Sequence, residues 1–171
     1  REMIKVLLAD DHALLRGSLK QLLDDTGFVE VVAQAGEYSE IMKAMNAHPV
    51  DLAILDISMP GKNGVDIVKI LKDKYPALKI LMLSMHPEDQ YAVRCLKAGA
   101  SGYLTKNTAP EKLVDAIQVI AAGRKYITPE LAESLASHLT EDSEKPLHAT
   151  LSDREFQTIR MIASGKKLSE I

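Results

Sequence analysis

Ile4-Lys5-Val6-Leu7-Leu8-Ala9-Asp10-Asp11 is a short, almost continuously apolar run that stops on two adjacent carboxylates. A strand with one wet face would alternate polar and apolar residues. A run apolar at nearly every position is what a parallel strand covered on both faces requires. The same pattern returns, with variations, at Val29–Ala35, Leu52–Leu55, Ile80–Ser84 and Gly102–Thr105. Between these runs lie segments with helical spacing: Leu14–Leu23, Ser39–Ala47, Val65–Lys74, Gln90–Ala98 and Pro110–Ala122. Leu15, Leu19 and Leu22 form one stripe, and Leu113, Ile117 and Ile120 form another. Pro110 suits a first helical turn, and Gly123 suits a helix stop. Strand and helix alternate regularly, which predicts a doubly wound α/β domain with a parallel sheet over residues 3–123.

Composition agrees with a globular protein. Of 171 residues, 46% are hydrophobic and 26% charged, with a net charge of -3. No overall basic field advertises nucleic-acid binding. Cys95 is the single cysteine, which forbids an internal disulfide and points to a reducing compartment. No apolar run is long enough for a membrane helix, so the expected location is the cytoplasm, with no membrane partner.

Chemistry concentrates where strands end. Asp10 and Asp11 follow the first predicted strand, and Asp56 follows the third. In the doubly wound order 2-1-3-4-5, strands one and three are central neighbours. Their carboxyl ends then flank the crevice where such sheets bind ligands. Three converging carboxylates repel one another and need a hard, oxygen-loving counter-charge, for which Mg²⁺ is suited. Ser84 ends the fourth strand with a hydroxyl, and Lys106 follows the fifth with an ammonium able to pair with carboxylate or phosphate. His12 has no second His or Cys at ligand spacing and reads as a residue of the pocket rim. Cys95 reads as small packing on the fourth helix.

Taken together, Asp10-Asp11, Asp56-Ile57-Ser58-Met59-Pro60-Gly61, Ser84 and Gly102-Tyr103-Leu104-Thr105-Lys106 resemble the receiver domain of two-component response regulators. The resemblance implies a CheY-like, flavodoxin-like (βα)5 fold. It implies Asp56 as phosphoacceptor and Mg²⁺ held by Asp11, Asp56, the main-chain carbonyl of Ser58 and, through water, Asp10. It further implies Lys106 and Ser84 as phosphoryl contacts and Tyr103 as the switch aromatic that follows Ser84. By the same resemblance Ser58 and His86 flank the route of a hydrolytic water, and Met85, bulkier than the small residue often found beside the serine, is expected to slow loss of the acyl phosphate.

Past Gly123 the pattern changes. Thr128-Pro129 opens a short helix, Glu130–Leu139, and the polar stretch Thr140–Thr150, broken by Pro146, reads as linker, giving a connecting region over 124–150. Ser152 and Glu155 then make a capping box ahead of Phe156, Ile159 and Ile162, with Gly165 as a stop. This 151–171 segment resembles the start of a LuxR-type helix-turn-helix, and the whole resembles the NarL/FixJ class of transcription regulators. The partners implied are a histidine kinase and, through a complete C-terminal domain, DNA, with homodimer formation left open. The recognition helix is absent from these residues, so operator reading by this chain alone is not expected.

Two other classes compete. A receiver acting only by protein contact would not need the linker and capping-box helix. An enzyme with released products is disfavoured, because no G-x-G-x-x-G or Walker loop follows the first strand and Asp10 is followed by Asp11-His12 rather than by an Asp-x-Asp pattern. The expectation is therefore a regulator whose only catalysis is on its own phosphoryl group.

Overall fold

The computed structural model describes residues 3–57, 59, 62–84, 89–106, 108 and 110–144. Five strands form one parallel sheet: β1 (Ile4–Ala9), β2 (Val29–Ala35), β3 (Leu52–Asp56), β4 (Lys79–Ser84) and β5 (Gly102–Thr105). Their order is β2-β1-β3-β4-β5, as expected. The helices are α1 (Ala13–Asp24), α2 (Tyr38–Ala47), α3 (Gly64–Lys74), α4 (Asp89–Ala98), α5 (Pro110–Ala121) and α6 (Pro129–Glu144).

The period of two in each strand sorts side chains onto two helical layers. Val6, Leu8, Leu52, Ile54, Leu81 and Leu83 pack with Leu23 of α1 and with Leu113, Ala116, Ile117 and Ile120 of α5. Leu7, Ala9, Ala53, Leu55, Ile80 and Met82 face the other way, onto Ile41 of α2, Val68 and Leu71 of α3, and Val93 and Leu96 of α4. Both faces of the central strands are therefore dry, the condition their unbroken apolar runs require.

Local capping starts α3 one residue earlier than expected. Asn63 accepts a hydrogen bond from the Asp66 N–H at 2.9 Å, leaving Gly64 as the first helical residue. The third strand likewise extends one residue to include Asp56. The β1–β2 ladder carries an irregularity between Val6 and Leu7, where the partner shifts from Val31 to Ala33.

The region after α5 differs most from the expectation. Tyr126 forms a parallel bridge with Gly102, and its N–H donates to the Ser101 carbonyl at 2.9 Å. Gly102 permits that approach, since a Cβ there would sit 3.0 Å from the Tyr126 carbonyl oxygen. Thr128 Oγ1 then accepts from the Leu131 N–H, capping α6. Leu131 is buried in the α2–α3–α4 layer, with Ile127 and Leu135 packed against that layer. The helix also runs past Leu139 to Glu144, through residues read as linker. Thr140–Glu144 contains no Gly or Pro, and the first breaker, Pro146, disfavours helix only at the residue before it.

Lys125, beside the Tyr126 bridge, is half-buried near two other lysines. Burial, with the charges of Lys72 and Lys79, pushes its ammonium down to about 8. The folded state thus favours the neutral amine, so its penalty is full below that value and fades as pH rises toward the ordinary lysine range. Lys125→Met should therefore stabilise the protein at pH 7 by about 1 kcal/mol after discounting for solvent screening. Urea unfolding at pH 7 and at about pH 10.5 checks this, with the gain expected only at the lower pH.

Candidate phosphoryl-accepting site

Four strand ends build the pocket. Asp10 leaves β1 with its N–H bonded to the Ala35 carbonyl, and Asp56 closes β3 in register with Leu83. Ser84 pairs with Thr105, and the Lys106 N–H donates back to the Ser84 carbonyl at 2.6 Å. Chain direction alone brings these groups together, because parallel strands deliver all their carboxyl ends to one rim.

Lys106 is the centre of charge. Its Nζ lies 2.8 Å from Asp56 Oδ2 and 3.0 Å from Asp10 Oδ2. The Lys106 side chain is only 3% exposed, and those of Asp10 and Asp56 are at 0%. Burial alone would lower the Lys106 pKa, but hydrogen bonds and charge from Asp56 and Asp10 outweigh it and hold the ammonium above its ordinary value. Asp11 sits at the mouth, one-third exposed, with its carboxylate close to that of Asp56. Its carboxyl is raised above the usual range by burial and by the neighbouring Asp56 and Asp10 carboxylates, with His12 opposing.

Three carboxylates against one lysine leave two negative charges uncompensated, the deficit a divalent cation fills. The donor set fits such an ion. One oxygen from each of Asp10, Asp11 and Asp56, with a His12 nitrogen, lies within 4.8 Å of the others. Asp10 Oδ2 is buried and receives no aligned hydrogen bond, although the Lys106 ammonium is close. A pocket dominated by carboxylate oxygens suits Mg²⁺.

The remaining expected residues fall as follows. Ser84 is at the buried end of β4, next to the acidic pair of strand ends. Tyr103 lies on β5 with its ring already buried, 5% exposed, in the α2–α3–α4 layer. Ser58, Met85, His86 and the 151–171 segment lie outside the described residues. Two contacts were not anticipated. The His12 Nδ1 atom lies 3.2 Å from Asp10 Oδ1 and 3.1 Å from Asp11 Oδ1. Arg16 reaches back from α1 to donate Nη1 to the Asp10 carbonyl. Arg16 lies four residues past His12, so one helical turn aims both at the same strand end.

A family model described as the response regulator receiver domain matches residues 6–118. The chain belongs to the response regulator family. This response regulator is 35% identical over 170 residues to the response regulator UvrY of Escherichia coli K12, covering 99% of this chain and 78% of the relative. It is 35% identical over 171 residues to the response regulator GacA of Pseudomonas aeruginosa, covering 99% of this chain and 79% of that one. Among solved structures, a LuxR-family two-component response regulator from Aurantimonas sp. superposes with a TM-score of 0.74 at 30% identity, over 81% of this chain and 99% of that one. The receiver domain of the putative response regulator NarL from Mycobacterium tuberculosis superposes with a TM-score of 0.69 at 31% identity, over 72% and 100%. The regulator thus has a CheY-like receiver fold and relatives of the NarL/FixJ class. Among the described residues, no helix is long and apolar enough to cross a membrane.

Proposed function

We propose that this regulator accepts a phosphoryl group on Asp56 from a partner histidine kinase in the cytoplasm and passes the change to a C-terminal DNA-binding segment. The observation that carries the reading is the Asp56 carboxylate, buried between Lys106 at 2.8 Å and the acidic pair Asp10-Asp11. Asp11, Asp56, the Ser58 carbonyl and, through water, Asp10 would hold Mg²⁺, which supplies charge neutralisation to an incoming phosphate.

The chain's own groups do the rest. An Asp56 oxygen attacks phosphorus while the kinase imidazole leaves, and the product is an acyl phosphate. Lys106 is already placed beside that oxygen and transfers its pairing from carboxylate to phosphoryl oxygen. Ser84, on the neighbouring strand end, donates its hydroxyl to the same group. Tyr103, on the strand beyond, is the side chain whose packing follows Ser84. Phosphorylation then acts by favouring one of two packings of β4, β5 and α4. Turnover is limited to the regulator's own phosphoryl group.

Similarity to UvrY and GacA over 99% of the chain includes residues 151–171. That supports the helix-turn-helix reading, with DNA and a second copy as partners of the full-length protein, over a receiver that works by protein contact alone. The test uses acetyl phosphate and Mg²⁺ with intact mass as the readout. The wild type should gain about 80 Da, the mass of one phosphoryl group, while Asp56→Ala and an EDTA-treated sample gain nothing. A gain that survives in Asp56→Ala would remove Asp56 as the acceptor.

A further inference from the structure

We propose that His12 is a nitrogen ligand that lets the acidic pocket hold a first-row transition-metal ion, such as Ni²⁺, in competition with Mg²⁺. This rests on the reading of Asp10, Asp11 and Asp56 as a metal pocket and adds to it a donor of different chemistry.

Spacing against other His or Cys residues places His12 only at the pocket rim, but the ligands in question are oxygens of its own sequence neighbours. Its Nδ1 atom stands 3.2 Å from Asp10 Oδ1 and 3.1 Å from Asp11 Oδ1. Donor atoms bound at about 2.1 Å to one ion sit about 3 Å apart along an octahedral edge, so both separations already match ligands sharing a metal. The same nitrogen is 3.5 Å from Lys106 Nζ, so it faces the charged centre of the pocket and not solvent.

The backbone fixes this aim. The His12 N–H donates to Asp10 Oδ1 at 2.8 Å, and His12 is the residue immediately before the first turn of α1. The rest of the ring is exposed, 59% by side chain, which leaves room for an ion and its waters at the mouth.

A nitrogen changes which metals the pocket prefers. Carboxylates and carbonyls suit Mg²⁺, whereas imidazole favours Ni²⁺, Cu²⁺ and Zn²⁺. Loss of one such donor should cost the transition metal far more than Mg²⁺. A protonated ring serving only as a counter-charge to the two carboxylates would produce the same contacts, so the test must detect a metal–nitrogen bond.

The full chain is loaded with one equivalent of Cu²⁺ and read by electron spin echo envelope modulation, with Ni²⁺ and Mg²⁺ affinities measured in parallel by calorimetry. Bound Cu²⁺ should show ¹⁴N modulation that converts to the ¹⁵N pattern on ¹⁵N-histidine labelling and vanishes in His12→Ala. That variant should lose Ni²⁺ affinity by about tenfold or more, with Mg²⁺ affinity changed by no more than about twofold. Bound Cu²⁺ without nitrogen modulation, or modulation persisting in His12→Ala, overturns the His12 assignment and leaves the carboxylate pocket standing. Absence of Mg²⁺ binding, or Mg²⁺ binding unaffected by Asp11→Ala and Asp56→Ala, overturns both.

Discussion

Lys106→Met should destabilise the metal-free protein by about 3 kcal/mol at neutral pH, the scale expected when a buried charge loses its partner. The substitution keeps the apolar stem and removes the ammonium that lies 2.8 Å and 3.0 Å from two fully buried carboxylates. Asp10 and Asp56 would then be buried without a cation, and they can recover only by taking up protons. That uptake caps the loss and makes it pH-dependent. Because the folded-state pKa of Lys106 is raised, its contribution is fully present below the ordinary lysine value and is lost only as pH rises through the folded one. At neutral pH the whole effect is visible, and it should shrink as pH falls into the carboxylate range, where protonation removes the unpaired charges. Millimolar Mg²⁺ should restore part of the deficit, because an ion that binds only the folded state stabilises it. Thermal unfolding of the variant at pH 5 and 7, with and without Mg²⁺, measures all of this. A variant as stable as wild type without metal at pH 7 would mean that Lys106 does not neutralise the pocket.

Asp11→Asn should do the opposite to stability and destroy the metal response. Its carboxyl is raised by burial and by Asp56 and Asp10, so at neutral pH its charge opposes folding. Removing the charge should stabilise the metal-free protein by about 1 kcal/mol, discounted because the side chain is one-third exposed. The sign follows from linkage. The benefit is present above the raised folded pKa, diminishes as pH falls below it and is gone below the ordinary Asp value, where the carboxyl is protonated folded or unfolded. Mg²⁺ affinity should fall by about 100-fold, since losing a direct ligand costs at least as much as losing an outer partner. Calorimetric titration with Mg²⁺ reads the affinity, and urea unfolding with EDTA reads the stability. A variant that binds Mg²⁺ like wild type would exclude Asp11 as a ligand. The two substitutions move stability in opposite directions, as a pocket with excess negative charge demands.

The sheet was legible because the central strands are apolar on both faces. β1, β2 and β5 fall where their runs begin and end, and β3 and β4 gain one residue each. Asp10, Asp56 and Lys106 were placed together by direction and strand order alone, which need no knowledge of side-chain packing. What the sequence hid is local and short-ranged. The Tyr126 bridge is a single pairing with no periodicity to detect. The length of α6 is not legible because Thr140–Glu144 is polar, and a polar stretch without Gly or Pro suits an exposed helix as well as a loop. His12 was judged by spacing to distant ligands, whereas its partners are its two preceding residues.

The seating of α6 gives the molecule mechanical leverage. The helix is clamped near its start, by Tyr126 on the first residue of β5 and by Leu131 beside α4, and it spans 16 residues. At 1.5 Å per residue it is an arm about 24 Å long. A tilt of about 5° at the clamp sweeps its far end through about 2 Å by this geometry, enough to break or make a side-chain contact. A subtle repacking around Tyr103, on the same strand, would therefore arrive at Glu144 as a shift of about 2 Å.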